Sequence, residues 1–491
     1  GCIIFTTRDR KAAVKLAQPN IITVPEMSEK AAIALLQKCL ASPNLVESSQ
    51  NVTALLESLT YLPLATTQAA AYINENGITL SDYLLLLGEK EEETIDLLSE
   101  DFEDCGRYGD VKNPVATTWL ISFEQIRRSD PLAAEYLSFI ACVNPRDVPE
   151  SLLPSGPSRK RELEAIGTLT AYSFISRRPV ESSFDLHRLV HLATRNWLRK
   201  EELLSQWTQK TIIRLEEVFP DDDHKNRSLW RTYLPHARQV LASNLVNEDG
   251  EQRMALMWRC GRCLYSDGRW DEAEALFTQI SATEMKRLGA ESPSTLVSIA
   301  WLASTYRNQG RWEEAEQLEV QVMETFKTKL GADHPYTLSS MHNLASTYWN
   351  QGRWEEAEQL FVQVMESRKA KLGADHPDTL GSMANLASTY WNQGRWEEAE
   401  QLFVQVMESR KAKLGADHPD TLTSMNNLAF RWKRLGRDAE ARQLMEDCIQ
   451  RQSRILGAEH PDALSSKEAL TECEAERLEI STDVATREDG T

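Results

Sequence analysis

The sequence predicts a mainly α-helical chain that ends in a long solenoid of paired helices. Three observations predict it. Gly268, Gly310, Gly352, Gly394 and Gly436 recur every 42 residues, as do Pro293, Pro335, Pro377, Pro419 and Pro461. A period of that length marks stacked supersecondary units. Upstream of the repeats, apolar residues follow i, i+3, i+4 spacing rather than alternation. Strand patterns are few: Cys2 to Phe5 at the start, and a hairpin pattern across 171–186 (AYSFISRRPVESSFDL).

Each element follows in order. GCIIFTTRDR runs four apolar residues into Arg8, as a buried strand that ends in an arginine would. A parallel strand delivers its last residue to the ligand edge of its sheet, where a guanidinium can fork onto phosphate oxygens. From Ile21 the chain turns helical: VPEMSEKAAIALLQKCL carries Ser28 ahead of an apolar stripe. Pro63 opens a small-residue helix, Ala65 to Ile73. Residues 110–200 read as helices, a hairpin, and the amphipathic helix HRLVHLATRNWL, an order that suggests a winged-helix unit.

Within a repeat, the first helix starts at the proline behind a polar Asp-His, and carries Leu338, Met341, Leu344, Ala345 and Tyr348 on one stripe. Gly352 ends it. The second helix carries Trp354, Ala357, Leu360, Phe361, Val364 and Met365 and stops near Gly373. Asn343 to Leu380 recurs letter for letter at Asn385 to Leu422. Opposite the apolar stripe lie Ser339, Asn343, Ser346 and Asn350, with counterparts Ser382, Asn385, Ser388, Asn392, Ser424 and Asn427. Asparagine amides can pair with both N–H and C=O of an extended peptide. Trp349 and Trp391 adjoin this face, either as apolar contacts for a ligand or packed between repeats. His334, His376, His418 and His460 each precede a proline and read as loop or cap residues.

The 491 residues exceed one core, and two to four domains are expected. A net charge of −19 and a pI near 5.1 argue against non-specific nucleic-acid binding. No apolar run reaches the ~18 residues of a membrane span. The eight cysteines fit a reducing compartment, and a cytoplasmic location is expected. Cys260 and Cys263 form a lone C-x-x-C that reads as core rather than metal or redox site. HRLVH has the histidine spacing of a zinc-protease helix, but Arg188 stands where a glutamate base is needed. No catalytic residue and no metal site is expected.

The repeat residues (a small residue, Tyr, Gly, an aromatic, Ala and Phe at fixed offsets) resemble the tetratricopeptide repeat. The 42-residue unit with NLA, GRWEEAE and LGADHPDTL resembles the long variant of kinesin light chains. The last repeat departs, with Asp438 for the tryptophan and Trp432 for the tyrosine, as a terminal cap would. The resemblance implies a right-handed solenoid whose concave groove is lined by first helices. In it Asn343, Asn350, Asn385, Asn392, Asn427, Trp349 and Trp391 would hold a peptide. A kinesin light chain proper is disfavoured, because no heptad coiled coil precedes the repeats.

The first 200 residues resemble the NB-ARC module of STAND-type signalling ATPases, most closely the fungal NLR-like group. Phe5–Arg8 (FTTR) resembles the strand-end motif whose arginine senses the γ-phosphate. Tyr61–Ala65 (YLPLA) resembles GLPLA, whose proline lies near the nucleotide base; Tyr61 stands for its first glycine. Leu186–Arg188 (LHR) resembles MHD, whose histidine contacts the ADP β-phosphate; Arg188 stands for its aspartate. The resemblance implies vestigial nucleotide-binding roles for Arg8, Pro63 and His187. No G-x-x-x-x-G-K-[ST] loop and no aspartate-ended magnesium strand is found, so no ATP turnover is expected. ADP or ATP belongs to a full-length parent, and none is expected to bind tightly to this chain.

The expected domains are a remnant of the nucleotide domain (1–24), a helical NB-ARC subdomain (25–109) and a winged-helix-like subdomain (110–200). A helical linker (201–250), the repeat array (251–473) and a disordered tail (474–491) follow. The chain thus reads as an N-terminally truncated fragment of an NLR-like sensor. A switch incomplete here would be coupled to a groove that takes a protein or peptide, with homo-oligomerisation on activation and neither nucleic acid nor membrane as partner. The alternative is a non-enzymatic adaptor in which the first half is a relic.

Overall fold

The computed structural model describes residues 27–41, 49–59, 61–87, 114–178, 182–247, 249–455, 466–468 and 470–471. Arg8, the expected remnant at 1–24, His460 and the expected tail at 474–491 lie outside the described residues. The chain divides into two units between Asp267 and Gly268.

In the first unit, α1 (Glu29–Cys39) starts where the Ser28 side chain accepts the Ala31 N–H. α2 is Ser49–Ser58 and α3 is Pro63–Asn76. Asn74 on α3 ties the end of α1 with both ends of its amide: Nδ2 donates to the Cys39 carbonyl and Oδ1 accepts the Ala41 N–H. α4 (Pro114–Ser129) and α5 (Pro131–Ile140) follow, the second capped by Asp130, whose carboxylate accepts the Ala133 N–H.

Next come β1 (Val148–Pro149), α6 (Arg159–Ala171), β2 (Ile175–Arg178), β3 (Ser183–Leu186) and α7 (Arg188–Lys200). The sheet is antiparallel in the order β1-β3-β2, with Ile175 opposite Leu186 and Val148 opposite Phe184. The hairpin matches the expectation. The third strand does not appear in the sequence pattern because it is two residues long, one of them a proline at a sheet edge. Helices around a three-stranded wing make this segment winged-helix-like. Its core is aromatic: Trp119 stacks on Phe123 at 4.8 Å, and Phe123 meets the edge of Trp197 at 4.7 Å.

α8 (Leu204–Val218), α9 (Arg227–Leu241) and α10 (Glu251–Ser266) complete the first unit. α10 carries a repeat-like pattern, and the array was expected to begin at 251. The helix packs on α8 and α9. Arg227 and Arg231 of α9 both reach the buried carboxylate of Asp267, each at 2.8 Å. The two units thus divide at Gly268, inside the span expected for the array. Cys260 and Cys263 are fully buried in α10, as core residues, and burial raises both thiol pKa values.

The second unit is a run of helices: α11 (Trp270–Leu288), α12 (Pro293–Asn308), α13 (Trp312–Leu330), α14 (Pro335–Asn350), α15 (Trp354–Leu372), α16 (Pro377–Asn392), α17 (Trp396–Leu414), α18 (Pro419–Arg434) and α19 (Asp438–Ile455). Each packs on its sequence neighbours, the local pattern of a solenoid. First helices start at the repeat proline. The capping group at three of them is the histidine, not the aspartate beside it. Nδ1 of His334, His376 and His418 accepts the N–H two residues on, at 3.2 Å each. The turn before each first helix is closed by a threonine: Thr295, Thr337, Thr379 and Thr421 donate to the carbonyls of Gly289, Gly331, Gly373 and Gly415. Gly352 ends α14 at φ +78°, which a side chain would strain. Ala345 and Ala357 are fully buried in one cluster with Phe361, so the two helices of a pair approach closely.

Candidate functional site

The first helices α12, α14, α16 and α18 touch one another through the face opposite their apolar stripe. Arg307 of α12 donates to the Asn343 carbonyl of α14 at 3.1 Å. Asn385 of α16 donates through Nδ2 to His342 Nε2 of α14 at 3.1 Å. Arg431 of α18 donates to the Ser388 hydroxyl of α16 at 3.3 Å. Each bond joins one position of the expected groove (Asn343, Asn385 or Ser388) to the first helix of a neighbouring repeat.

The expected residues differ in how free they are. The Asn343 side chain is half-buried and makes no hydrogen bond among the described residues, while its carbonyl holds Arg307. The Asn385 amide is partly engaged by His342. Asn350 folds its amide back onto the Ser346 carbonyl. Asn427 is exposed, and its carbonyl accepts from Arg431. Asn392 lies at the last turn, where it lines a depression of about 1050 Å³ with Gln393 and Arg395. Trp349 and Trp391 are half-buried against the clusters around Phe361 and Phe403, so they offer edges rather than free faces. Ser382 and Ser424 do not belong to this face. They are buried, each accepting from an arginine of the preceding second helix (Arg368, Arg410) at 2.8 Å. One residue of helical register, about 100°, separates them from the exposed face.

His342 sits at the centre of the α14 segment. Burial, with Arg368 and Arg307 nearby, brings its pKa down to about 4, so the ring is neutral at neutral pH. Accepting from Asn385 at Nε2 then places its proton on Nδ1.

Beside this face lies a buried pair that the apolar reading of the repeat did not single out. Glu319 stands where Phe277, Phe361 and Phe403 stand in other repeats, and Arg307 stands where Trp349 and Trp391 do. Arg307 bonds Glu319 at 2.9 Å, and the Thr347 hydroxyl donates to Glu319 at 2.6 Å. Aligning the repeats at 42 residues exposes both exchanges.

A second missed feature is an edge ladder built by GRWEEAE. Arg311, Arg353, Arg395 and Arg437 each bond one glutamate of the preceding repeat and one of their own. Each guanidinium also lies over a ring, that of Tyr306, Tyr348, Tyr390 or Trp432. These contacts clip repeat to repeat. The large depression lies on this edge, where the guanidiniums are already taken by carboxylates.

In the first unit, Pro63 is the exposed first residue of α3, which packs on α1 and α4. Tyr61, two residues earlier, adopts φ +52°. That is the left-handed conformation glycine adopts freely, so the turn survives the exchange of glycine for tyrosine. His187 precedes α7, which packs on α4, α5 and α8, and partial burial lowers its pKa. Pro63 opens α3 and His187 precedes α7, and both of these helices pack on α4.

Tetratricopeptide-repeat models match residues 259–291, 294–370, 342–412, 378–431 and 421–462. A protein of Hyaloscypha variabilis named "nucleotide-binding leucine-rich repeat (NLR)-like protein" is 42% identical over 303 residues, 61% of this chain. The chain spans about 30% of the length of that relative. Among solved structures, the nearly identical TPR-like repeats of a kinesin light chain-like protein from Podosopora anserina are 33% identical. That match covers 41% of this chain and 95% of the other, with a TM-score of 0.37. A STAND protein with a tetratricopeptide repeat sensor from Pyrococcus horikoshii is 13% identical, covering 93% of this chain and 66% of the other, TM-score 0.37. Among the described residues no helix is long and apolar enough to cross a membrane. Between residues 259 and 462 the chain matches models of the tetratricopeptide repeat, and over 303 residues it is similar to an NLR-like protein of a fungus.

Proposed function

We propose that the chain is the sensor-bearing part of an NLR-like signalling protein, with the first-helix face of the array as a peptide- or protein-binding groove. The observation that carries this is the continuity of that face. Asn343, Ser346, Asn385, Ser388 and Asn427 follow one another across three repeats; the Asn343 and Asn427 amides make no hydrogen bond among the described residues, whereas the Ser346 and Ser388 hydroxyls donate back to the His342 and Ala384 carbonyls and Asn385 donates to His342. An extended peptide would exchange its water contacts for these groups, with Trp349 and Trp391 closing the floor. Ligand in the groove would shift the population of a switch toward an open, oligomerising state. Pro63 and His187 are the described members of that switch. The chain itself turns over no ATP and holds no nucleotide tightly.

The test is peptide-library binding to the chain and to Asn343→Ala with Asn385→Ala. A loss of at least tenfold supports the groove, and unchanged binding sinks it. A nucleotide titration tests the rest: micromolar ADP affinity in this chain would overturn the reading of an incomplete switch. The sequence holds no phosphate-loop motif, which favours a second reading, a peptide-binding adaptor whose first unit is structural. It predicts the same groove phenotype with no conformational response in α1–α7 on ligand addition, readable by hydrogen exchange.

A further inference from the structure

The edge ladder leaves aromatic surface in water. Trp270, Trp312, Trp354 and Trp396 open the second helices α11, α13, α15 and α17 and are 36%, 39%, 37% and 53% exposed. Tryptophan is highly buried on average, and where it reaches a surface it is enriched at interfaces. Four at one position of successive repeats form a row rather than a scattered residue. Stacking does not require the indole. In the last repeat Asp438 takes its place, yet α19 still packs on α18, and Arg437 still bonds Glu400 and Glu440 and lies over Trp432.

Beside two of these rings the edge is hollow. Trp354 walls the depression of about 1050 Å³, and Trp312 walls its counterpart one repeat earlier, of about 600 Å³. The same positions line both: the repeat glycine and arginine, the tryptophan, three glutamates, and the glutamine and arginine of the next repeat. Neither Asn343 nor Asn385 lines either hollow, so the edge stands apart from that part of the first-helix groove.

Charge decides what the hollows suit. Each sets three glutamates against two arginines. The arginines are engaged: Arg353 bonds Glu316 and Glu356, and Arg395 bonds Glu358 and Glu398. The exposed Glu313, Glu355 and Glu397 bond no cation among the described residues. The ladder guanidiniums lie over Tyr306, Tyr348 and Tyr390, so among the described residues no cation covers the four indoles. An anion there would meet unpaired carboxylates, and an apolar ligand would desolvate them without a partner. A cation meets an unpaired carboxylate and an exposed indole side by side.

We propose that this edge docks an extended, lysine- or arginine-bearing segment of a partner protein, its cationic side chains lying against Trp312, Trp354 and Trp396 with their heads at Glu313, Glu355 and Glu397. The ring quadrupole and the adjacent carboxylate both attract the charge, and the apolar stem of the side chain covers the indole. Because the hollows recur with the repeat, one segment places successive cations in successive hollows, and each later contact forms at high effective concentration.

The experiment uses the whole chain at about 0.15 M salt, where diffuse attraction to an acidic protein is screened beyond about 8 Å. The probes are fluorescein-labelled, amidated eight-residue peptides read by anisotropy, a Lys-Ser repeat and a Gln-Ser repeat. The basic peptide is expected to bind at least tenfold tighter than the neutral one. Trp354→Ala with Trp396→Ala leaves the net charge unchanged and should abolish that preference. Glu355→Gln with Glu397→Gln should also remove most of it, without touching a ring. Glu366→Gln with Glu408→Gln lowers the charge equally, more than three turns further along α15 and α17, and should leave it intact. Circular dichroism reads folding of each variant. A basic peptide bound no tighter than the neutral one, or bound equally by the tryptophan double variant, overturns the proposal. Equal losses from the two glutamine pairs assign the binding to diffuse charge and overturn it as well. Loss of basic-peptide binding in Asn343→Ala with Asn385→Ala, but not in the tryptophan variant, moves the contact to the groove and sinks this inference.

Discussion

Exchanging Glu319 and Arg307 for the residues of neighbouring repeats should stabilise the array, although removing Glu319 alone should damage it. Glu319 is 1% exposed and Arg307 14%. The pair is satisfied: Arg307 bonds Glu319 and the Asn343 carbonyl, and Thr347 bonds the other carboxylate oxygen. Two ions have nevertheless left water for a place that Phe361 and Trp349 fill with apolar surface one repeat on. Glu319→Ala strands a buried guanidinium and should cost roughly 3–5 kcal/mol. Glu319→Phe with Arg307→Trp removes both charges and restores volume, and should gain roughly 1–4 kcal/mol over the native pair. The two outcomes have opposite signs, which makes the cycle decisive.

The pH dependence supplies an independent check. Burial raises the Glu319 pKa from 4.5 to about 7, outweighing Arg307 and the Thr347 hydroxyl, which act to lower it. The folded chain therefore keeps this proton to higher pH than the unfolded chain. Between about 4.5 and 7 the folded state binds more protons, so the contribution of this group falls as pH rises through the window, and is flat above it. At 1.36 kcal/mol per unit the change is about 3 kcal/mol. Hydrogen exchange of the full chain, read on α12 to α14, measures both effects locally, which suits an array whose repeats need not unfold together. If Glu319→Ala costs under about 1 kcal/mol, or the double exchange destabilises, the argument from desolvation is wrong. The slope should vanish in the double variant; its persistence there would assign it to another group.

Three further outcomes are expected. His342 and His191 both have pKa values lowered to about 4 by burial, so their neutral forms support the fold above pH 6.5 and that support is lost as pH falls toward 4. Proton NMR should show both rings titrating near pH 4, and a midpoint near 6.5 for either would refute its burial. Tyr61→Gly should raise stability by roughly 0.5–1 kcal/mol, the left-handed strain relieved less the entropy of glycine, whereas Tyr61→Ala should not. Urea unfolding of the first unit reads the difference. Arg395→Ala removes bonds to Glu358 and Glu398 and the stacking on Tyr390 at 3.9 Å. It should cost roughly 1 kcal/mol, less at high salt, and Arg395→Lys should lose most of it as well; a salt-independent loss would assign the effect to packing.

Legibility in the sequence follows from what each residue has to do. The helix starts at Pro335, Pro377 and Pro419, the stop at Gly352 and the hairpin at 175–186 were readable, because each depends on local backbone chemistry that its own residues announce. One reading shifted, and one helix stayed open to two readings. α10 has a repeat-like pattern, yet it packs on α8 and α9, and no local signal separates those choices. Ser382 and Ser424 looked like groove residues, but helical register sets them about 100° off that face, where Arg368 and Arg410 bond them. The polar face itself survived, since helical spacing alone fixes which residues share it. What the periodic reading passed over are departures from the period: Glu319 in a phenylalanine column, Arg307 in a tryptophan column, Arg431 in a threonine column. In a solenoid whose units are nearly identical, a residue present in every unit is explained by stacking, since each unit must meet the next in the same way. A residue present once cannot be explained that way. It breaks an interface that its neighbours show could have been apolar and regular. Glu319 and Arg307 compensate each other inside the array. Arg431 bonds no acid among the described residues, only the Asn427 carbonyl and the Ser388 hydroxyl, so its charge is balanced by neutral oxygens alone.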